Sequence, residues 1–399
     1  MLYLGADCII PVSGAPCYDS VLVLTDEGVV EGIYSKSELN VQGIKIHQYK
    51  GILCPGFINT HCHLELSYAK GLISEGKGLD AFVRNLEILK EVAEGSFILL
   101  AIEKAANDMQ MSGIVATADI ANGDTTELLK RDSKLYFHTF VEVFGSNPAI
   151  ADRIFSNANK LKEKFEKNSV PGRVSIVPHA TYSLSEELFG LVASSNRGNL
   201  ISIHHQENQD ENLFFLDGSG PIAARRNAFN PGLPEFKGTG KRPLESIAGF
   251  FGRDQKILLV HNTFTGQQDI DFVENYFSNA YWCFCPNANL YIEKKLPDIR
   301  LFRANGCKIT LGTDSLASNH QLSILEEMKT ISQYFPEIPL AEILRWATKN
   351  GAEFLGLDSE LGSFEKGKKP GVVIIENTDI QSLKLNKNST SRLIIPAGL

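Results

Sequence analysis

The sequence predicts an α/β chain built as a (β/α)8 TIM-type barrel, with a small β-sandwich domain formed by both termini. Three observations carry this expectation. From residue 56 onward, eight short apolar runs alternate with longer polar, helix-like stretches, the pattern of a parallel sheet with crossover helices. Almost every run ends in a polar or ionisable residue, and barrel sites sit at the C-terminal ends of strands. Both ends of the chain are strand-like instead. An open doubly wound sheet is the alternative that eight parallel strands leave standing.

The chain divides into three parts. Residues 1–54 form the N-terminal part of the β-domain: Ser20-Val-Leu-Val-Leu-Thr25 runs into the turn Asp26-Glu-Gly28 and returns through Val29–Tyr34 as a hairpin. Residues 55–355 form the barrel. Its eight predicted strands are Gly56–His61, Gly113–Asp119, Leu135–Phe144, Val174–His179, Leu200–His204, Lys256–His261, Ala280–Cys285 and Cys307–Asp314. Helical patterning lies between them at Leu79–Ala93, Ala151–Phe165, Ser185–Ser194 and Gln267–Phe277, and after them at Leu322–Tyr334 and Leu340–Leu355. Residues 356–399 return to strand at Gly371–Ile375 and Arg392–Ile395, to pair with the N-terminal part. Gln206–Lys241, rich in Asn, Gly, Phe and Pro, is the longest irregular segment, and such a loop at a barrel's catalytic face is more often functional than accidental.

Bulk properties narrow the function. A chain of 399 residues with 43% hydrophobic and 22% charged residues is ordinary for a soluble globular protein. A net charge of −8 argues against non-specific binding of nucleic acid or of anionic membranes. The apolar run Phe97–Ile102 is soon followed by Glu103 and Lys104, so no span is expected. No basic stretch precedes an apolar one at the N-terminus, so no signal peptide is expected. Seven scattered cysteines do not form a disulfide framework, and a cytoplasmic location is the natural reading. Cys283-x-Cys285 lacks zinc-ligand spacing and is expected to fill a buried strand.

The chemistry starts at Pro55-Gly-Phe-Ile-Asn-Thr-His61-Cys-His63-Leu-Glu65. Side chains alternate along a strand, so His61 and His63 share a face and can bind one metal ion. Alone, an H-x-H is a weak signal. The chain supplies the rest in order: His204 closes the fifth strand with Glu207 three residues later, His261 closes the sixth, and Asp314 the eighth. Any one strand-end histidine is usually structural, and an Asp after Gly-Thr is usually a turn or cap residue. As one ordered constellation they are poorly explained by coincidence. Three imidazoles and a carboxylate suit a borderline cation such as Zn²⁺ or Fe²⁺, which lowers the pKa of its water towards about 7. The set points to metal-assisted hydrolysis.

These motifs resemble the amidohydrolase superfamily, specifically its branch of ring aminohydrolases with adenosylhomocysteine/methylthioadenosine, guanine and aminodeoxyfutalosine deaminases. The likeness rests on Pro55–His63, Ile203-His-His-Gln-Glu207, Val260-His-Asn262, Leu311-Gly-Thr-Asp-Ser315 and Leu361–Lys368, and runs nearly end to end. The chain departs at Lys369-Pro-Gly371, where the family usually has a small residue and then Asp, far from the strand ends. The resemblance implies a barrel with a β-sandwich. It implies one metal on His61, His63, His204 and Asp314, with Zn²⁺ foremost and Fe²⁺ or Mn²⁺ as alternatives. Asp314 would take a proton from the metal's hydroxide-forming water, His261 would orient that nucleophile without ligating, and Glu207 would protonate the substrate ring and serve the leaving group. No strand-end lysine offers to bridge a second metal. A homodimer is expected by resemblance too.

His179 matches a strand-end histidine that contacts substrate in adenosine-type deaminases. Glu65 and Glu142 are candidate polar contacts, with a salt-bridge role as the competing reading. Phe214 and Phe215 would lie against a base or anchor their loop; Arg225 and Arg226 would meet a carboxylate or face solvent. Pro286-Asn-Ala-Asn289 resembles a family turn whose amides shape the pocket mouth. The expected activity is hydrolytic deamination of a purine or purine-nucleoside derivative, a small-molecule substrate. The alternative is another C–N or C–Cl bond, as in triazine-type or cyclic-amide hydrolases, though the latter mostly use two metals.

Overall fold

The computed structural model describes residues 1–39, 43–167, 172–196 and 198–398; parts of the expected 1–54 and 356–399 segments, residues 40–42 and 399, lie outside it. All eight predicted core strands form: β1 Phe57–Cys62, β2 Ile114–Ala121, β3 Tyr136–Val143, β4 Val174–Pro178, β5 Ile201–His205, β6 Lys256–His261, β7 Asn279–Phe284 and β8 Ile309–Leu311. They pair in parallel as two four-stranded sheets, β4-β3-β2-β1 and β5-β6-β7-β8. Every residue of β1, β2 and β3 is buried, as strands covered on both faces require.

The two sheets meet at both edges, and at their C-terminal ends. Cys62 bridges Asp314 in parallel, with the amides of Thr313 and Asp314 donating to the His61 carbonyl at 3.0 and 3.1 Å. Ala180 bridges His204, whose amide donates to the His179 carbonyl at 2.9 Å. Below the first seam, Thr60 Oγ1 donates to Thr310 Oγ1 at 2.8 Å and Asn59 Nδ2 to Thr313 Oγ1 at 2.8 Å. Gly312 permits this approach: a Cβ there would stand 2.8 Å from His61 Cβ and 2.9 Å from Cys283 Sγ.

Four expected helices appear at Leu79–Val92, Ala151–Glu166, Glu186–Ser195 and Gln267–Tyr276. The predicted stretch Leu340–Leu355 is broken into Leu340–Ala347 and Lys349–Leu355, because Thr348 leaves helical geometry and its hydroxyl bonds the Leu344 carbonyl at 2.6 Å. The Gln206–Lys241 segment is not irregular throughout. It contains helices Asp210–Asp217 and Gly220–Phe229. Asp210 and Glu211 favour the first turn of the first helix, Gly218 ends it at φ 76°, and Pro221 opens the second.

The expected hairpin forms from Ser20–Leu24 and Val30–Ser35, antiparallel around Gly28 at φ 88°. With Leu2–Gly5 and His47–Gln48 it makes one four-stranded sheet. A second runs Thr390–Ile395, Val372–Glu376, Ile52–Pro55, Cys8–Ile9, so both chain ends share it. Leu4, Leu22 and Leu24 of the first sheet and Ile9, Leu53, Val372 and Ile374 of the second share one apolar cluster. No helix among the described residues is long and apolar enough to cross a membrane.

Candidate active site

The side chains that the sequence singles out converge where β1, β5, β6 and β8 end. His61 and His63 leave β1 on one face, and their Nε2 atoms are 3.2 Å apart. Asp314 Oδ1 lies 3.6 Å from His61 Nε2 and 3.5 Å from His63 Nε2. The His204 ring is 4.9 Å from that of His61, centroid to centroid, and the His261 ring 5.4 Å from that of His204. His61, His63, His204, His261 and Asp314 are all buried.

The backbone is bent to achieve this. Gln206, His261, Asn262 and Asp314 all take positive φ, at 45°, 75°, 57° and 56°. Such angles are uncommon for residues with a side chain and cluster where function over-determines the geometry.

Electrostatics make the cluster suited to a cation. Burial holds His61 well below the ordinary imidazole range and lowers His63 and His261, so the rings are neutral. Burial alone would raise the Asp314 carboxyl, but His61, His63 and His261 outweigh it and hold the group well below the usual carboxylate range. Among the described residues, the Nδ1 atoms of His61 and His63 have no hydrogen-bond partner. Two neutral nitrogens facing each other at 3.2 Å beside a carboxylate oxygen are a donor set waiting for positive charge. His61, His63 and His204 offer ligand atoms mutually within 4.8 Å, as do His61, His261 and Asp314. The residues fit a divalent cation with nitrogen and oxygen ligands.

Neighbours set the orientation of the His261 ring and of the Asp314 carboxylate. Asn289 Nδ2 donates to the His261 carbonyl at 3.2 Å, which turns Oδ1 to the ring at 2.9 Å from Nδ1. His261 must therefore carry its proton on Nδ1, leaving Nε2 as an acceptor 3.7 Å from Glu207 Oε1. The turn Pro286–Asn289 was read for its amides; the Asn289 side chain is the part that touches the site. Ser318, which no motif marked, donates to Asp314 Oδ2. Burial pushes Glu207 up to about 8, so this acid is protonated at neutral pH.

The expected substrate contacts scatter more. The His179 ring sits 4.8 Å from that of His204 and is half-buried. Glu142 is held down to about 2: burial would raise it, but His179, His204 and His63 prevail. Its Oε2 accepts from Asn122 Nδ2 at 2.9 Å, while Oε1 lies 3.6 Å from His204 Nδ1. Glu65 spends its carboxylate on backbone, accepting from Asn122 N at 3.1 Å and Gly123 N at 3.3 Å. Phe214 is 3% exposed and stacks on Phe236, centroids 4.2 Å apart, anchoring its helix. Arg225 does meet carboxylates, but those of Asp80 and Glu87 on helix Leu79–Val92.

The chain is similar to several known proteins along most of its length. An adenosine deaminase of Helicobacter pylori (strain ATCC 700392 / 26695) is 27% identical over 359 residues, 87% of this chain and 85% of that protein. The crystal structure of Helicobacter pylori aminofutalosine deaminase with methylthio-coformycin superposes with a TM-score of 0.84 at 21% identity, covering 99% of this chain and 98% of that one. Atrazine chlorohydrolase from Arthrobacter aurescens, complexed with zinc, gives 0.73 at 16% identity over 100% and 96% of the two chains. At such identities the two structures speak for the fold alone. The amidohydrolase family model matches residues 52–394, and the chain belongs to the amidohydrolase family.

Proposed function

We propose that this protein hydrolyses the ring amino group of a purine or purine-nucleoside derivative, releasing ammonia, with one divalent cation held by His61, His63, His204 and Asp314. Zn²⁺ is the foremost candidate. The observation that carries the reading is the pairing of that inward-facing donor set with a separate acid, Glu207, and an orienting imidazole, His261, 3.7 Å apart. A purely structural metal site has no use for them. The purine class draws on relatives named as adenosine and aminofutalosine deaminases. Residues 55–355 are read as a closed (β/α)8 barrel, supported by the two bridged seams. Residues 1–54 and 356–399 are read as a β-sandwich, supported by the core their sheets share.

The cation, when bound, supplies a hydroxide nucleophile near neutral pH. The chain does the rest. Asp314, ionised and bonded by Ser318, takes up the nucleophile's proton. His261, its Nδ1–H fixed by Asn289, offers Nε2 to orient the nucleophile. Glu207 gives its proton to the ring nitrogen beside the carbon under attack, so charge does not build on the ring. Glu207, now ionised, takes the proton that Asp314 collected and passes it to the departing amine, because ammonia leaves only when protonated; the hydroxyl proton of the collapsing adduct then restores Glu207. His179 contacts the substrate beside His204; Phe214 holds the helix after β5 in place.

The test is ammonia release by zinc-loaded protein across adenine, adenosine, methylthioadenosine, adenosylhomocysteine, aminodeoxyfutalosine, guanine, cytosine and an aminotriazine. Turnover of an adenosine-type member supports the reading. Turnover of the triazine alone, or of none, overturns the purine assignment.

A further inference from the structure

Asp119 puts an ionisable side chain near the end of β2, and the deamination chemistry has no place for it. It is fully buried, and the side chain of its partner nearly so: Lys130 Nζ lies 2.6 Å from Asp119 Oδ2, with side-chain exposures of 5% for Lys130 and 0% for Asp119. Lys130 also donates to Thr139 Oγ1 at 3.2 Å and lies over the rings of Phe137 and Phe165. Taking two charges out of water is expensive, and well-packed apolar residues would usually serve stability as well or better. The pair is therefore poorly explained by stability alone.

What Asp119 touches suggests another purpose. Its Oδ1 accepts from the amide of Leu64 at 2.8 Å, the peptide that directly follows His63. The favour is returned one step along. Glu65, on the β1 side, accepts from the amides of Asn122 and Gly123 just past β2. Two carboxylates thus reach across the same pair of strand ends in opposite directions, each gripping the other strand's backbone just past the Cys62–Asp119 register. The grip extends further, since Asn122 Nδ2 donates to Glu142 and Glu142 Oε1 approaches His204 Nδ1.

We propose that Asp119 and Glu65 are positioning residues: a reciprocal bracket that locks the His61-x-His63 strand end in the geometry a cation needs. Lys130 holds the Asp119 carboxylate in place. This rests on the metal site proposed above, and groups that orient metal ligands typically contribute 10–100-fold to metal affinity.

Two matched pairs of variants test it by zinc dissociation constant, measured by competition with a chromophoric chelator, alongside the melting temperature of the chelator-stripped protein. The first pair is Asp119→Asn with Lys130→Met, and Asp119→Ala with Lys130→Met. Both doubles remove the same charges, but only the first keeps an oxygen for Leu64 N. The second pair is Glu65→Gln and Glu65→Ala, in which only Gln keeps an acceptor; it carries the test if the Asp119 doubles do not fold. Each Ala version is expected to bind zinc about 10–100-fold more weakly than its amide counterpart at a temperature where both are folded. Equal affinities within a pair, with only melting temperatures changed, would reduce the bracket to a structural brace while leaving the metal site intact. A wild-type protein that binds no zinc would overturn the metal site and the bracket together.

Discussion

The Nδ1 of His204 lies 2.8 Å from the carbonyl oxygen of His179, and a carbonyl can only accept. The proton of His204 is therefore on Nδ1, and Nε2 is left to face His61 and His63 with its lone pair. One backbone oxygen at the β4–β5 seam sets the tautomer of a histidine proposed as a metal ligand, the arrangement that raises ligand basicity. His179 thus has two separable parts, a carbonyl that holds the His204 ring and a side chain, 4.8 Å from that ring, for which substrate contact is proposed.

Replacing the ring should leave the carbonyl's work undone by nothing. His179→Asn is expected to retain stoichiometric zinc by elemental analysis. Its kcat/KM should fall roughly 10–100-fold, the worth of one hydrogen bond to a polar or charged partner. Loss of zinc from this variant would show that the ring itself ligates.

Glu207→Gln separates acid from ligand. Zinc content should be unchanged and turnover should fall about 10²–10⁴-fold, the span of general acid–base catalysis. The pH profile adds a second check. With its pKa raised to about 8 by burial, Glu207 is a competent acid below that pH and is lost as an acid above it. The wild-type rate should therefore decline through an alkaline limb near that value, and the residual Glu207→Gln activity should lack it.

Chelation should abolish ammonia release and zinc should restore it. Because the donor atoms of His61, His63, His204 and Asp314 are buried together, the folded state binds the cation and the unfolded chain does not bind it comparably. Zinc at a hundred times its dissociation constant should stabilise the fold by about 2.7 kcal/mol, seen as a raised melting temperature.

Glu327, fully buried behind the site, accepts from Asn287 N at 2.9 Å, Asn287 Nδ2 at 3.0 Å and Asn319 Nδ2 at 2.8 Å. It ties the turn after β7 to the loop after β8. Glu327→Ala leaves buried donors without an acceptor, at about 1–3 kcal/mol each before relaxation. Denaturant unfolding should show a loss of at least about 2 kcal/mol.

Which parts of this were legible in the sequence follows from range. The strand ends could be read locally, because an apolar run closed by His or Asp carries its own signal, and His61, His63, His204, His261 and Asp314 do come together. Asn289 and Ser318 could not, since each matters through a contact that only the folded turns create. Glu65 shows the difference sharply. Its type and place suggested a polar contact, but its partners depend on how β1 and β2 align, and the register assigns it to the backbone of residues 122 and 123. The 206–241 segment misled for another reason. Its two helices are too short for periodicity to announce, and they hold through capping and through Phe214 on Phe236.

The seam between β1 and β8 has a consequence for how the molecule comes into being. Asn59 meets Thr313 and Thr60 meets Thr310 across 254 and 250 positions of chain. Contacts this distant carry the largest entropic toll in folding and close late. A nascent chain emerging from the ribosome holds His61 and His63 long before Asp314 has been synthesised. The proposed cation site is therefore completed only at the end of synthesis: a chain stopped short of β8 carries three of its four proposed ligands and lacks Asp314.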